Sequence, residues 1–102
     1  MKIQTQSVNF KADSDLLKFV DDKTSSLSKF YDKIISVEVY LSVQKTSEKE
    51  NKHTEIKVNV PGKELVVKKI TKSFEEGVSK STDSLERLLK KIKEKQRESS
   101  AT

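Results

Sequence analysis

With 102 residues the chain has room for one domain around a modest core, and not for two. Only 32% of it is hydrophobic and 36% is charged, with a net charge of +5, so the surface is dense in charge and an anionic partner is expected. The absence of cysteine excludes disulfides, thiol chemistry and cysteine-ligated zinc, and a single histidine excludes a multi-histidine metal site.

Isoleucine, leucine, valine and phenylalanine make up 28 of the 102 residues, above the share of roughly 20% below which disorder is the better reading. Two glycines and one proline argue against a low-complexity chain. The opening residues lack the apolar run of an export signal. No stretch approaches the roughly 18 apolar residues that span a bilayer, so a cytoplasmic protein without membrane contact is expected. Residues 1–44 hold six lysines and six acids, whereas residues 45–102 hold 15 basic and 10 acidic side chains. The excess positive charge belongs to the second half.

Taken in chain order, residues 2–8 are short, polar and partly β-branched, which predicts a first strand. Asp13 predicts a helix N-cap, with Asp15 in the positively polarised first turn. Leu16, Val20, Leu27, Phe30 and Tyr31 then form one helical stripe. Lys23 falls in the middle of that stripe. Full burial of a lysine is costly, so Lys23 is expected to snorkel to an edge or line a groove between two helices.

From residue 35 the period becomes two: Ile35, Val37, Val39, Leu41 and Val43 alternate with polar residues and Tyr40, predicting a half-buried strand. Residues 45–52 read as a polar loop. Residues 54–69 predict a hairpin about Pro61-Gly62, whose preset and positive φ suit a type II turn. Ser73 and Glu76 match a capping box, and Phe74, Val78, Ser81, Leu85, Leu88 or Leu89, and Ile92 give the stripe of a second helix of about six turns. Residues 98–102 are expected to be a frayed tail. The predicted architecture is α+β, in the order β-α-β-β-β-α: a four-stranded sheet with two helices packed on one face and a single domain over residues 1–97.

Little here resembles a catalytic site. Asp21-Asp22 and Glu75-Glu76 are helix neighbours, which point about 100° apart and do not converge as an acid–base pair. His53 lies in or beside the polar loop with no partner histidine. Neither a glycine-rich phosphate loop nor a serine with a histidine base at recognisable spacing is present. No enzyme, cofactor, metal or small-molecule substrate is expected.

The cations of the second helix carry more information. Measured from Phe74 at about 100° per residue, its core stripe covers roughly −40° to +60°, and Lys80, Arg87 and Lys91 fall near about −120°, −140° and −100°. They form a ridge about 16 Å long, while Lys90 and Arg97 lie on a back diluted by Asp83, Glu86 and Glu94. Lysine supplies a point charge for phosphate and arginine a fork for two oxygens. Single-stranded RNA readers usually carry stacking aromatics on their sheet, and here Tyr40 is the one strong candidate. The helices, with Lys23 in the groove between them, are therefore expected to face a folded RNA.

The spacing Asp13-x-x-Leu16-x-x-Phe19-Val20-x-x-Lys23-x-x-x-Leu27-x-Lys29-Phe30-Tyr31-Asp32-Lys33-Ile34, followed by Val37-Glu38-Val39-Tyr40-Leu41, resembles the first half of the ribosome hibernation promoting factor family. Asn59-Val60-Pro61-Gly62, Phe74-Glu75-Glu76 and the run Asp83-x-Leu85-x-Arg87-x-Leu89-x-Lys91-x-Lys93-x-Lys95 extend the similarity over about residues 1–96. The resemblance implies a non-enzymatic protein lying in the small-subunit channel between head and body. There it would overlap the paths of messenger and transfer RNA, stop translation and preserve idle ribosomes.

Residue by residue, it implies ribosomal RNA contacts at Lys23, Lys29 and Lys33 on the first helix and at Arg87, Lys91, Lys93 and Lys95 on the second. Lys80 and Lys90 are candidates to replace a lysine that many members carry where this chain has Ser84. Ser73-Phe74-Glu75 likewise stands where many members have Asp-Met-Tyr. The length matches a short form, without the linker and second domain of long members, and the free protein is expected to be monomeric.

Two other readings fit the residues. The order α-β-β-β-α is that of a double-stranded-RNA-binding domain, but residues 45–52 lack the glycine, proline and histidine of its loop and its basic helix start is replaced by Glu75 and Glu76. A protein-interaction domain using its exposed sheet is the second alternative, and it predicts binding insensitive to salt.

Overall fold

The computed structural model describes every residue except Thr46 and Thr102, and the side chains of all but those two and residues 97–101. Its elements are β1 (Lys2–Val8), α1 (Ser14–Ser25), a 3₁₀ turn (Ser26–Lys29), β2 (Ser36–Val43), β3 (Lys52–Val60), β4 (Lys63–Thr71) and α2 (Phe74–Ala101). The strands form one sheet in the order β1-β2-β3-β4, with β1 parallel to β2 and the other neighbours antiparallel. This is the predicted α+β order. The parallel β1 is a fourth strand that the α-β-β-β-α order of a double-stranded-RNA-binding domain does not include.

Alternation along each strand gives the sheet one apolar face. Ile3, Val37, Val58 and Leu65 lie in one cross-strand row, and Val39, Ile56 and Val67 in the next. Against these rows pack Leu16, Val20 and Leu27 from the first helical segment and Phe74, Val78, Leu85 and Leu89 from α2. Burial of each such side chain contributes about 1.5–3 kcal/mol. Leu89, not Leu88, completes the α2 stripe. At its start, the Phe74 ring stacks on Phe10 with centroids 4.6 Å apart, tying α2 to the segment that turns out of β1 at Asn9, where φ is +68°.

The first helix differs from its sequence pattern. Asp13 caps it as expected, its Oδ1 accepting from the Leu16 backbone N–H at 2.8 Å. It ends, however, at Ser25 rather than continuing to Tyr31. The Ser25, Ser26 and Ser28 hydroxyls donate to carbonyl oxygens three residues back, and such local bonds compete with the i→i−4 ladder. The chain tightens into the 3₁₀ turn, and this change of winding brings Leu27 back to the core. Thr24, fully buried, occupies the inner position between Val20 and Leu27, while Lys23 is exposed.

Smaller corrections follow from the sheet. Ile34 is buried and Ile35 is 58% exposed, because β2 starts only at Ser36 and the backbone of Ile35 is held by Asn59 and Lys2. The hairpin is longer than residues 54–69, and His53 lies within β3, 2.7 Å from Gln44. Gly62 has φ +76°, the positive value required at the third position of a type II turn.

Ser73 accepts from the Glu76 backbone N–H at 3.2 Å, the first half of the capping box. The Glu76 carboxylate forms an ion pair with Lys80. α2 has 28 residues rather than about six turns. The tail expected at 98–102 and the Arg97 side chain lie outside the fully described residues. Among the described residues, no helix is long and apolar enough to cross a membrane, and no group of three or more His, Asp or Glu could hold a metal ion.

Candidate nucleic-acid interface

Turning the apolar stripe of α2 toward the sheet sorts its cations onto two flanks. With Phe74, Val78, Leu85 and Leu89 inward, a rotation of about 100° per residue carries Lys80, Arg87, Lys91 and Lys95 to one side and Lys90 and Lys93 toward the other. All six are exposed.

On the first flank, Lys80 lies 2.9 Å from the Glu76 carboxylate one turn earlier. A hydrogen bond and the charge of Lys80 hold the Glu76 carboxyl below its ordinary range, and the same carboxylate pushes the Lys80 ammonium above its own. Both groups face solvent, so salt screens the pair. The Arg87 Nε donates to the Asp83 carbonyl oxygen at a long 3.5 Å. Lys91 and Lys95 continue the ridge at one-turn spacing.

The second flank meets the 3₁₀ turn. Lys29 ends that turn, Phe30 follows it, and together with Lys90, Lys93 and Glu94 they line a hollow of about 220 Å³. The Lys90 ammonium stands 5.1 Å from the centre of the Phe30 ring, within cation–π range, and 3.1 Å from the Glu86 carboxylate. Nearby, the Gln96 Nε2 donates to the Tyr31 hydroxyl at 2.8 Å. That bond fixes the later turns of α2 against the segment carrying Phe30.

Of the residues expected from sequence, the structure therefore gathers Lys29, Lys90 and Lys93 around one concavity and leaves Lys80, Arg87, Lys91 and Lys95 along a separate ridge. Lys23 and Lys33 do not line that concavity. Lys23 is exposed on α1, its ammonium 5.7 Å from the Phe19 ring centre, and Lys33 is exposed in the connection to β2. Of the two outcomes expected for Lys23, an edge or a groove, its exposure matches the edge, because Thr24 takes the inward position. Phe30, expected in the core stripe, is half-buried and packs against the edge of the core while it also lines the hollow. The signal for this division is the pair Phe30-Tyr31: adjacent aromatics cannot share one inward direction, and it is Tyr31 that is fully buried.

The open face of the sheet has a different character. Glu38 opposes Lys57, and Glu55 opposes Lys68, so opposite charges meet across the strands. The Tyr40 hydroxyl donates to Glu38 at 3.2 Å, while Lys57 lies 5.6 Å from its ring centre. Partial burial, reinforced by Glu38, raises the pKa of that hydroxyl. The hollow between β1 and β2 here is larger, about 510 Å³, but its lining of Gln4, Thr5, Gln6, Glu38, Val39 and Tyr40 contains no cation. A second hollow on the sheet, about 320 Å³, brings Lys68, Lys69 and His53 together with Glu55; the longer run of exposed cations is that of α2, and it favours the helices for an anionic partner.

Comparison with known proteins identifies the family. The sequence pattern of the family described as sigma 54 modulation protein / S30EA ribosomal protein matches residues 3–97. The chain belongs to this family. It is a non-enzymatic family of ribosome-binding proteins and includes the ribosome hibernation factors. A ribosome hibernation promoting factor of Pseudomonas putida is 28% identical over 96 residues, covering 94% of this chain and 90% of that relative.

Among solved structures, the N-terminal domain of Thermus thermophilus Protein Y superimposes with a TM-score of 0.76 at 22% identity, covering 90% of this chain and 99% of that one. A ribosomal subunit interface protein from Coxiella burnetii gives the same TM-score at 20% identity, with 91% and 98% covered. These two likenesses establish a shared fold.

Proposed function

We propose that this chain is a ribosome hibernation factor that binds the ribosomal RNA of the small subunit in the channel of messenger and transfer RNA, blocks translation and preserves idle ribosomes. The observation that carries the reading is the family match over residues 3–97. The charge distribution supports it: the cations of α2 are exposed on two flanks, whereas Lys57 and Lys68 on the open face of the sheet are opposed by Glu38 and Glu55. Phosphate contacts position a protein without reading base sequence, which suits a compact RNA surface. Lys23, Lys29, Lys33, Lys80, Arg87, Lys90, Lys91, Lys93 and Lys95 supply those contacts. The protein acts in the cytoplasm, as a monomer when free, and takes no small-molecule substrate.

Co-sedimentation with purified small ribosomal subunits tests this. Wild type is expected to pellet with the subunits, and Lys23→Glu/Arg87→Glu/Lys91→Glu is expected to remain in the supernatant. A wild type that stays soluble, or a triple variant that binds equally well, would overturn the proposal.

A further inference from the structure

The Phe30 hollow contains groups that a surface for phosphates alone does not need. It has an aromatic ring in its wall, three ammonium groups from Lys29, Lys90 and Lys93, and the carboxylate of Glu94. An ammonium cluster by itself suits bare phosphate, but Glu94 opposes that anion. The carboxylate accepts hydrogen bonds, and the exocyclic amines of adenine, cytosine and guanine donate them. An aromatic ring offers a stacking surface to any base. Flat ring, hydrogen-bond acceptor and surrounding cations together match one nucleotide unit with its flanking phosphates.

We infer that the hollow between the 3₁₀ turn and α2 is a subsite for an unpaired nucleotide of RNA, whose base stacks on Phe30 while Lys29, Lys90 and Lys93 take the adjoining phosphates. In the free protein Lys90 covers the ring, held between Phe30 at 5.1 Å and Glu86 at 3.1 Å. The incoming base replaces the ammonium on the ring, and Lys90 turns to the phosphate. This deepens the proposed function and rests on its choice of an RNA partner. It adds a requirement that the phosphate reading lacks: the RNA must present a base that is not paired.

Two titrations separate this inference from the reading beneath it. The first uses fluorescence anisotropy with a short single-stranded RNA and the same backbone made abasic. Wild type is expected to prefer the RNA with bases by about tenfold, since stacking on one aromatic is of that order. Phe30→Leu should abolish the preference and Phe30→Tyr should keep it. The second measures small-subunit binding at several salt concentrations. There Phe30→Leu is expected to weaken binding about tenfold at unchanged salt slope, whereas Lys93→Gln should lower the slope by about one.

Equal binding of abasic and intact RNA by wild type overturns the subsite while leaving subunit binding intact. An equal loss in Phe30→Leu and Phe30→Tyr marks Phe30 as packing only and also overturns it. Base preference without subunit binding upholds the subsite and removes the ribosomal reading instead.

Discussion

A hydroxyl that bonds back to its own helix can be buried where an ammonium cannot, and Thr24 does so through the Val20 carbonyl oxygen at 2.8 Å. That local bond satisfies the one polar atom which would otherwise make the position expensive. Lys23, one residue earlier, is exposed and holds its ammonium 5.7 Å from the centre of the Phe19 ring. The two neighbours should therefore respond in opposite ways to substitution. Thr24→Asp is expected to cost about 3 kcal/mol or more by burying an unpaired carboxylate, whereas Lys23→Glu should stay within about 0.5 kcal/mol. Urea unfolding of the two variants checks this; equal destabilisation would restore Lys23 to the core. The result also guards the binding test, since a folded Lys23→Glu loses affinity only through its charge.

Between elements, α2 comes close to the hairpin at Gly77. A Cβ built on Gly77 would collide with the Thr54 hydroxyl and lie 2.9 Å from that of Thr71. The missing side chain lets the helix sit down on β3 and β4. Alanine favours an exposed helix by about 1 kcal/mol over glycine, but here overpacking reverses the sign. Gly77→Ala is expected to destabilise the fold by about 1–3 kcal/mol, read from the midpoint of chemical unfolding.

The same element carries the Glu76–Lys80 pair. Because the carboxyl pKa is lowered in the folded state, the pair's contribution is present above the ordinary carboxylate value and lost as pH falls through the folded one. For Lys80, raised by Glu76, it is complete below the ordinary lysine value and lost as pH rises through the folded one. The stability difference between wild type and Glu76→Gln should thus be constant near neutrality and vanish in acid. A difference that persisted in acid would assign the effect to something other than this pair.

At the scale of the molecule, charge is divided between the two faces of the fold. α2, about 42 Å long, sets much of the 54 Å long axis and exposes its cations along it. On the open face of the sheet, Lys57 and Lys68 are opposed by Glu38 and Glu55. Binding through the helices should therefore be salt-dependent: about six to nine phosphate contacts predict a fall of roughly 10³- to 10⁵-fold between 50 and 200 mM salt. Lys57→Gln, on the sheet, is expected to leave both affinity and slope unchanged in the same titration. Loss of binding in Lys57→Gln, or binding indifferent to salt, would move the interface to the sheet and favour a protein partner.

Periodicity, capping and turn chemistry act over a few residues, and they made the sheet, both helices and the hairpin legible from sequence alone. The Asp13 cap, the Pro61-Gly62 turn and the period-two run from Val37 to Leu41 are all local in this sense. The family resemblance was legible as well, since it lies in spacing. The assembly of the cationic surface was not. Lys29 and Lys93 are far apart in sequence, and they meet because the serines after Thr24 shortened α1 into a 3₁₀ turn while Tyr31 was tied to Gln96. Which of Lys23 and Thr24 turned inward depended on how that shortened helix seats against the sheet and α2. Sequence determined what each segment could become; packing of the segments decided which charges share a site, because burial is settled by neighbours that the local pattern does not contain.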